Sequence, residues 1–311
     1  MIVRLKEITD KITKGTTPHK KAFEGVDVNF IKSECLNYNG NIDTNSFNSI
    51  DIETHNTKLK RSILNENDIL ISIAGANLGK VGIVSNEMLP ANTNQAVGII
   101  SINSNLARSK YIYYYLQQLK IRNFINHSVA QSAQPNINLS QLSNLKIEIP
   151  EINTQDKIVK VLDTISEKIK LNTHTNNNLL EIGDAIYIAH INSHNKAKLP
   201  KDWKTRTLKE VTNNFDFKRK PMSSRERIEH KGKYPYYGAT SIIDYVDDFI
   251  FDNTYILMGE DGTVITFDNK PVLQYVWGKI WVNNHAHVLQ GNNISEEYLY
   301  FCLRNTDVKA V

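Results

Sequence analysis

Short apolar runs separated by turn residues dominate the first 150 residues. Residues 68–73, 81–84 and 96–102 are typical of buried strands, and residues 145–150 alternate like a half-buried strand. Residues 109–124 place their apolar side chains at helical spacing. This part of the chain therefore predicts a domain of mixed strands and helices.

A different pattern follows from about residue 154 to residue 190. This stretch has no proline, and its apolar residues recur at alternating steps of four and three, which predicts a long helix with a coiled-coil seam. Residues 172–178 (NTHTNNN) are poor helix formers, so a kinked helix or two helices is the alternative. The predicted seam residues are Ile158, Leu162, Ile165, Ile169, Leu179 and Ile186.

The last third of the chain returns to the first pattern. Residues 255–258, 272–276 and 287–289 predict strands, and residues 295–304 predict a helix with Ser295 as its N-cap. Four short segments of the first part recur here in the same order, at offsets between 187 and 203 residues. The matching segments are 5–9 with 208–212, 69–71 with 256–258, 94–96 with 284–286, and 111–116 with 298–303.

Four matches in register predict two copies of one domain, because a period this long is not that of a solenoid. We therefore expect an α+β protein in which two repeated mixed α/β domains are joined by a long coiled-coil-like helix. The predicted boundaries are 1–150 for the first domain, 151–196 for the helix and 197–311 for the second domain.

Composition narrows the class of protein. The 311 residues are 41% hydrophobic and 23% charged, which suits ordinary globular domains, and the formal net charge is only +4. The two cysteines form no pair, and no apolar run approaches the length of a signal peptide or a membrane span. We expect a cytoplasmic protein that does not bind membranes.

Motifs for catalysis are weak. Residues 75–80 (GANLGK) resemble a phosphate loop but lack its spacing, so a glycine turn is the better interpretation. His285 and His287 share one strand face without an obvious third metal ligand. The carboxylates between residues 244 and 261 alternate with aromatic residues, as on a solvated strand. We predict no catalytic residue, no metal site and no cofactor of its own.

Basic residues cluster in the same place in both repeats, after the segments 5–9 and 208–212. Such clusters are either solvated loops or contacts to the phosphates of DNA, and the recurrence favours the second interpretation. Amides in the polar loop 131–140 are of the type that contacts base edges. The candidate DNA-binding residues are Lys14, Lys20, Lys21, Lys80, Gln131, Gln134, Lys218, Arg219, Lys220 and Arg225.

With these features together, the chain resembles the specificity subunits of type I restriction–modification systems. The similarity is carried by residues 69–84 (ILISIAGANLGKVGIV), 134–138 (QPNIN), 234–246 (YPYYGATSIIDYV), 256–262 (ILMGEDG) and 281–289 (WVNNHAHVL). Each of these motifs is diffuse, but their joint order is specific, and the resemblance covers nearly all of the chain.

The resemblance implies two target-recognition domains that each read half of a split site in double-stranded DNA, with the helix setting the gap. It implies methylation subunits that carry S-adenosylmethionine and restriction subunits that use ATP and magnesium, while the specificity subunit is not itself an enzyme. The second repeat has no counterpart of residues 131–150 or of the helix, so the resemblance is to a C-terminally shortened member of the family. Either the chain is a truncated form, or its seam is covered by another chain, and our hypothesis is that two copies pair through this helix. The alternatives are a stand-alone DNA methyltransferase or nuclease, and a tandem protein-interaction scaffold.

Overall fold

The computed structural model describes residues 1–75, 78–127, 136–193, 203–262 and 264–308. Gln131 and Gln134 lie outside these described residues. Across the part of the chain that is described, no helix combines the length and the apolar character that crossing a membrane requires.

The chain divides into two compact units, Met1–Lys170 and Leu171–Val311. The division falls inside the long helix, so each unit contains one repeat and one part of that helix. The three-part division at residues 150 and 196 stays a prediction.

Unit 1 contains nine strands and four complete helices among its described residues. The strands are β1 (Ile2–Arg4), β2 (Thr9–Lys14), β3 (Val28–Ile31), β4 (Asn48–Ile50), β5 (Ile69–Ser72), β6 (Val81–Ile83), β7 (Ala91–Thr93), β8 (Val97–Ile102) and β9 (Lys146–Glu148). The helices are α1 (Ile52–Asn56), α2 (Ser109–Leu116), α3 (Leu119–His127) and α4 (Leu139–Ser143). The main sheet has the order β2-β8-β5-β6, a second sheet has the order β4-β3-β7, and β1 pairs with β9.

The main sheet of unit 1 is buried on both faces. Side chains alternate across a strand, and Ile69 and Ile71 of β5 enter one hydrophobic core while Leu70 enters another. On β8, Ile100 and Ile99 divide between the two cores in the same way. Burial on both faces explains why these strands are continuous apolar runs in the sequence.

The predicted helix 109–124 is two helices, α2 and α3, separated at Gln117 and Gln118. In one continuous helix, residues nine apart such as Ile112 and Ile121 would point about 180° apart. The break lets both of them enter the same core, and the equivalent pair Leu116 and Ile125 does so too. Core packing therefore overrides the helical pattern that runs through this segment.

Unit 2 repeats the architecture of unit 1. Its strands are β10 (Thr212–Asn214), β11 (Lys231–Tyr237), β12 (Ile242–Val246), β13 (Phe251–Asp252), β14 (Tyr255–Gly259), β15 (Leu273–Val276), β16 (Lys279–Val282) and β17 (Ala286–Gly291). Its main sheet, β10-β17-β14-β15, has the same order as β2-β8-β5-β6, strand for strand. In both second sheets the central strand has one antiparallel and one parallel neighbour. The sequence repeat is thus a repeat of topology.

Two predictions from the sequence are confirmed, the long helix and the N-cap at Ser295. The segment with the seam is one unbroken helix of 42 residues, α5 (Ile152–Ser193), and it has no interruption at residues 172–178. The helices of unit 2 are α6 (Leu208–Val211), α7 (Ser224–Glu229) and α8 (Glu296–Arg304). Ser295 caps α8, because its side chain accepts a hydrogen bond from the Tyr298 backbone N–H.

Candidate nucleic-acid interface

The basic residues of the first repeat lie at the surface of unit 1. Lys14 is the last residue of β2, and Lys20 and Lys21 begin a 3-10 turn. All three side chains are exposed, and none forms an ion pair with a residue that the structure describes. Their charge is therefore available to a polyanion.

Lys80 lies at the end of the glycine turn that joins β5 to β6. Gly75 and Gly79 adopt φ values of +82° and +77°, which side chains with a Cβ rarely adopt. The Nζ atom of Lys80 lies 5.1 Å from the centroid of the Tyr38 ring, and the Cζ atom of Arg122 lies 4.4 Å from the same centroid. The fold thus adds Tyr38 and Arg122 to a site in which sequence reasoning found only Lys80.

The polar loop that contains Gln131 and Gln134 ends beside this hairpin. Asn136 forms a bridge with Ala74, and the Ile137 N–H donates a hydrogen bond of 3.0 Å to Ile73 O. Asn138 then caps α4, where it accepts from the Gln141 N–H. The end of the loop is therefore fixed to the strand end from which the Lys80 turn begins.

In the second repeat the basic residues differ in their contacts, and the two lysines are unlike the two arginines. Lys218 and Lys220 are exposed, and neither forms an ion pair among the described residues. The Lys218 Nζ lies 5.3 Å from the Phe215 centroid and 5.8 Å from that of Phe217, a side chain that is 80% exposed. The Lys220 Nζ lies 5.9 Å from the Trp281 ring. Cations beside aromatic faces are common where proteins contact nucleic acid.

Arg219, between these two lysines, points inward instead. Its guanidinium forms an ion pair with Glu260 and donates hydrogen bonds to Ala286 O at 2.9 Å and Asn284 O at 3.3 Å. Arg225 is exposed and pairs with Glu229 one helical turn later at 3.5 Å. A role for Arg219 and Arg225 in DNA binding stays a prediction, and the contacts of Arg219 give it a structural task within unit 2.

The two histidines on β17 each bond to an aspartate. The Nδ1 of His285 lies 2.9 Å from Asp261, and that of His287 lies 2.6 Å from Asp216. Burial alone would raise the pKa of Asp216, but hydrogen bonds from His287, the Val288 N–H and Asn214 hold it below its usual value. Asp216 is therefore an ionised acceptor within the fold.

Asp216, Glu260 and His287 bring three possible metal-ligand atoms within 4.8 Å of one another. Sequence reasoning missed this group because Glu260 and Asp216 are 27 and 71 residues from His287. The Arg219 guanidinium already supplies positive charge to both carboxylates. The group is accordingly an ion-pair network that ties the 3-10 turn at residues 216–218 to β17.

Two further carboxylates in the centre of the second repeat, Asp244 and Asp247, have side-chain partners. Asp244 forms ion pairs with Lys231 at 2.9 Å and with Arg227 at 3.4 Å, and Asp247 lies 3.2 Å from His230. These pairs agree with a solvated, ion-paired strand surface. They do not form a pair of free carboxylates for hydrolysis.

A groove of about 480 Å³ lies in unit 1. Burial raises the pKa of Asp68 in its wall, and the Ser101 hydroxyl donates to this carboxyl at 2.6 Å. Asp156 is held by both ends of the Arg108 guanidinium, at 2.7 and 3.2 Å. Asp68 and Asp156, two of the three carboxyls that line the groove, thus have structural partners.

In unit 1, α5 packs on α2 through its aspartates. Asp163 accepts hydrogen bonds from Lys110 at 2.7 Å and Tyr114 at 2.8 Å, and burial together with this carboxylate raises the pKa of Tyr114 to about 12. In unit 2, Asp184 accepts from Arg304 of α8 at 2.9 Å. Asp156, Asp163 and Asp184 are multiples of seven residues apart, so they share one heptad position.

The predicted seam lies on a different face of α5. Ile158, Ile165, Ile169, Leu179 and Ile186 are between 37% and 66% exposed in the structure, and Leu162 is half-buried. Gly183, which falls in the same heptad series, contacts Phe301 of α8. The apolar stripe thus remains largely open on a helix whose other face is packed.

A family model described as the type I restriction modification DNA specificity domain matches residues 1–181 and, separately, residues 200–310. A Haemophilus influenzae protein assigned as a type I restriction enzyme specificity subunit is 38% identical over 105 residues, which cover 33% of this chain and 26% of that protein. The EcoBI specificity subunit of Escherichia coli is 29% identical over 131 residues, or 42% of this chain and 27% of the relative. The matches thus span about a quarter of these relatives' length.

Among solved structures, the S subunit of a type I restriction–modification system from M. genitalium has a similar fold. It superposes with a TM-score of 0.50 over 97% of this chain and 75% of that chain, at 18% sequence identity. Such a likeness supports the architecture of two repeats and a long helix.

Proposed function

Because this chain belongs to the type I restriction modification DNA specificity domain family, we propose that it recognises the DNA target of a type I restriction–modification complex. Each repeat reads one half of a bipartite sequence in double-stranded DNA. Helix α5 sets the spacing between the halves, and methylation and restriction subunits assemble on the chain.

The observation that carries this proposal is the separate match of the family model to each repeat, at 1–181 and 200–310. Each repeat also presents cations that no described carboxylate neutralises, Lys14 and Lys20 in the first and Lys218 and Lys220 in the second. Lys218 and Lys220 lie on aromatic rings as well. Phosphate contacts from both repeats would hold the two halves of one duplex in register.

The test is to map methylated bases in the genome of cells that carry the chain together with its methylation subunits. We expect one two-part sequence with a gap of constant length, because two domains of unequal sequence read unequal halves. A control strain carries the methylation subunits alone. A continuous methylated sequence without a gap, or the same sequence in the control strain, would contradict the proposal.

We further propose that the chain performs no chemistry itself, and that S-adenosylmethionine, ATP and magnesium bind to partner subunits. Asp68 and Asp156 in the groove of unit 1 and Asp244 in unit 2 have structural partners, which supports this division of labour. Isothermal titration of the isolated chain with S-adenosylmethionine should give no heat of binding, whereas the complex with methylation subunits should bind it. Saturable binding to the isolated chain would favour a stand-alone methyltransferase.

The open stripe on α5 supports a proposal about partners. We propose that this stripe pairs with the same stripe of a second copy of the chain, because Ile158, Ile165 and Ile169 follow heptad spacing and are largely exposed. Asn172 and Asn176 continue the series, and polar residues at such positions fix the register of a helix pair. Cytoplasmic localisation stays an expectation from the sequence.

A tandem protein-interaction scaffold is the remaining alternative. It differs from DNA recognition in the effect of salt, because binding to DNA releases counterions from the phosphates. The affinity of the assembled complex for duplex DNA should fall steeply between about 50 and 200 mM salt. An assembled complex with no affinity for duplex DNA at low salt would favour the scaffold.

A further inference from the structure

Acidic residues are missing from a long part of the first repeat. Residues 88–147 contain no aspartate or glutamate but five lysines and arginines. Arg122 of α3 makes no ion pair with any residue that the structure describes. Three others are neutralised by acids from outside this range, in the pairs Arg108–Asp156, Lys110–Asp163 and Lys120–Glu148.

Arg122 is held in place by Tyr38 through neutral groups alone. Its Cζ lies 4.4 Å from the Tyr38 ring centroid, and its Nη2 donates a hydrogen bond of 2.9 Å to the Tyr38 carbonyl oxygen. Its Nε is buried and finds no hydrogen-bond partner within the described ranges. Because the Nε is buried, contact with an anion in solvent falls to the terminal nitrogens of this guanidinium.

Three elements fix the position of the site. The turn that carries Tyr38 is anchored to α2, because the Tyr113 hydroxyl donates to Gly40 O at 3.0 Å. Gly40 has φ +88°, and a Cβ there would lie 2.3 Å from the Tyr113 oxygen. The turn that leads to Lys80 packs on α3, because a Cβ on Gly79 would lie 3.7 Å from the Arg122 Cγ.

We propose that Arg122 and Lys80, both placed on the Tyr38 ring, bind one backbone phosphate of double-stranded DNA. A ring face orients the two cations, and a phosphate between them would offset their mutual repulsion. The contact positions unit 1 on the duplex without reading a base. This inference rests on the proposed function and adds the residues through which the first repeat grips its DNA.

The experiment uses the complete complex of the chain with its methylation subunits and a duplex that carries the mapped target. The association constant is measured from about 50 to 200 mM salt for the wild type and for the double variant Lys80→Gln/Arg122→Gln. Loss of one phosphate contact should reduce the slope of log K against log salt by about 0.9. Over this range of salt, the fold-loss of affinity of the double variant should therefore be about 3.5 times smaller than that of the wild type. Its preference for target over scrambled duplex should equal that of the wild type.

The matched control is Lys120→Gln. Lys120 is on the same helix and also lies over a tyrosine ring, 5.2 Å from the Tyr115 centroid, but Glu148 neutralises it. We expect its salt slope to equal that of the wild type. Arg122→Lys keeps the charge and should retain most of the slope. If Arg122→Gln lowers the melting temperature, the slope of Lys80→Gln alone decides, and it should fall in the same direction.

Two results would contradict the phosphate site without contradicting the proposed function. One is a double variant whose salt slope equals that of the wild type, while the wild type still prefers its target. The other is an equal loss of affinity at every salt concentration, which indicates a structural role. A wild-type complex that does not distinguish target from scrambled duplex refutes the proposed function itself, and the phosphate site falls with it.

Discussion

At the scale of single residues, a few contacts decide how each part of α5 is held. Gly183 is the clearest case, because a Cβ built on it would lie 2.2 Å from the Cζ of Phe301. A glycine inside a helix normally costs about 1 kcal/mol relative to alanine. Here that cost is offset by the close approach of α8, so we expect glycine to be more stable than alanine at this position.

We predict that Gly183→Ala lowers the free energy of unfolding of unit 2 by about 1–3 kcal/mol, since the added methyl group displaces Phe301. Chemical denaturation measures the change. Asn177→Ala, at an exposed position of the same helix, is the control and should stabilise the protein by a few tenths of a kcal/mol. A stabilised Gly183→Ala variant would mean that α8 does not pack closely on Gly183.

Asp216 makes the stability of unit 2 depend on pH in the acidic range. Its pKa in the folded protein lies below the ordinary value of 3.8, because His287, Val288 and Asn214 donate hydrogen bonds to it despite its partial burial. A carboxyl with a lowered pKa stabilises the fold above its unfolded-state pKa, and this contribution is lost as the pH falls through the folded-state pKa.

We therefore expect the wild type to lose more stability between about pH 5 and pH 2 than Asp216→Asn does. At neutral pH the same variant should be less stable than the wild type, because the ion-pair network loses its central acceptor. Thermal melts across this pH range provide the measurement, with the exposed Asp252→Asn as control. Parallel pH profiles for the wild type and Asp216→Asn would contradict the assignment.

At the scale of elements, the pattern of apolar residues predicted the central strands of both main sheets. It missed several shorter strands, including β3 and β16, although the side chains of both enter two cores. The runs at β5 and β8 were recognised because every apolar residue there enters a core. The edge strand β2 was missed, because Thr9, Lys11 and Thr13 give it no apolar period. The single helix predicted at 109–124 was wrong, because the pattern does not show that both halves share one core.

The candidate site was less predictable than the fold. Lys218, Arg219 and Lys220 look equivalent in the sequence, and only the fold turns Arg219 towards Glu260, 41 residues away. Arg122 gave no signal of its own, since its partner Tyr38 is 84 residues distant. Local charge patterns therefore locate a basic surface, whereas the assignment of each side chain depends on tertiary contacts.

Helix α5 gives a prediction about association. Ile165 and Ile169 are 51% and 62% exposed, so Ile165→Lys/Ile169→Lys should leave the melting temperature nearly unchanged and abolish pairing of the helix with a second copy. Sedimentation at tens of micromolar measures the pairing. Glu167→Lys, on another face of the helix, is the charge control. A wild-type chain that sediments only as a monomer would refute the self-association proposal.

At the scale of the whole molecule, two units whose main sheets have the same strand order are connected by a helix without a break. If α5 sets the gap in the target, its length and the two half-sequences are independent properties of the protein. Seven residues inserted among residues 172–178 would lengthen the helix by about 10 Å and preserve its heptad spacing.

We predict that this insertion lengthens the gap in the methylated sequence and leaves both half-sequences as they are. Methylation mapping of the variant beside the wild type is the measurement. A matched variant that replaces residues 172–178 with seven alanines, at constant length, should keep the original gap. An altered half-sequence, or an unchanged gap in an active insertion variant, would show that α5 does not set the spacing.

The burial of both faces of the two main sheets has a consequence for how such a protein changes over generations. Neighbouring residues of β5, β8, β14 and β17 enter different cores, so a mutation at most positions of these strands disturbs one core or the other and is removed by selection for a stable fold. Substitutions in the turns at the ends of these strands disturb the cores less. New target sequences should therefore arise by substitution in the turns, and one repeat can diverge while the other keeps its old specificity.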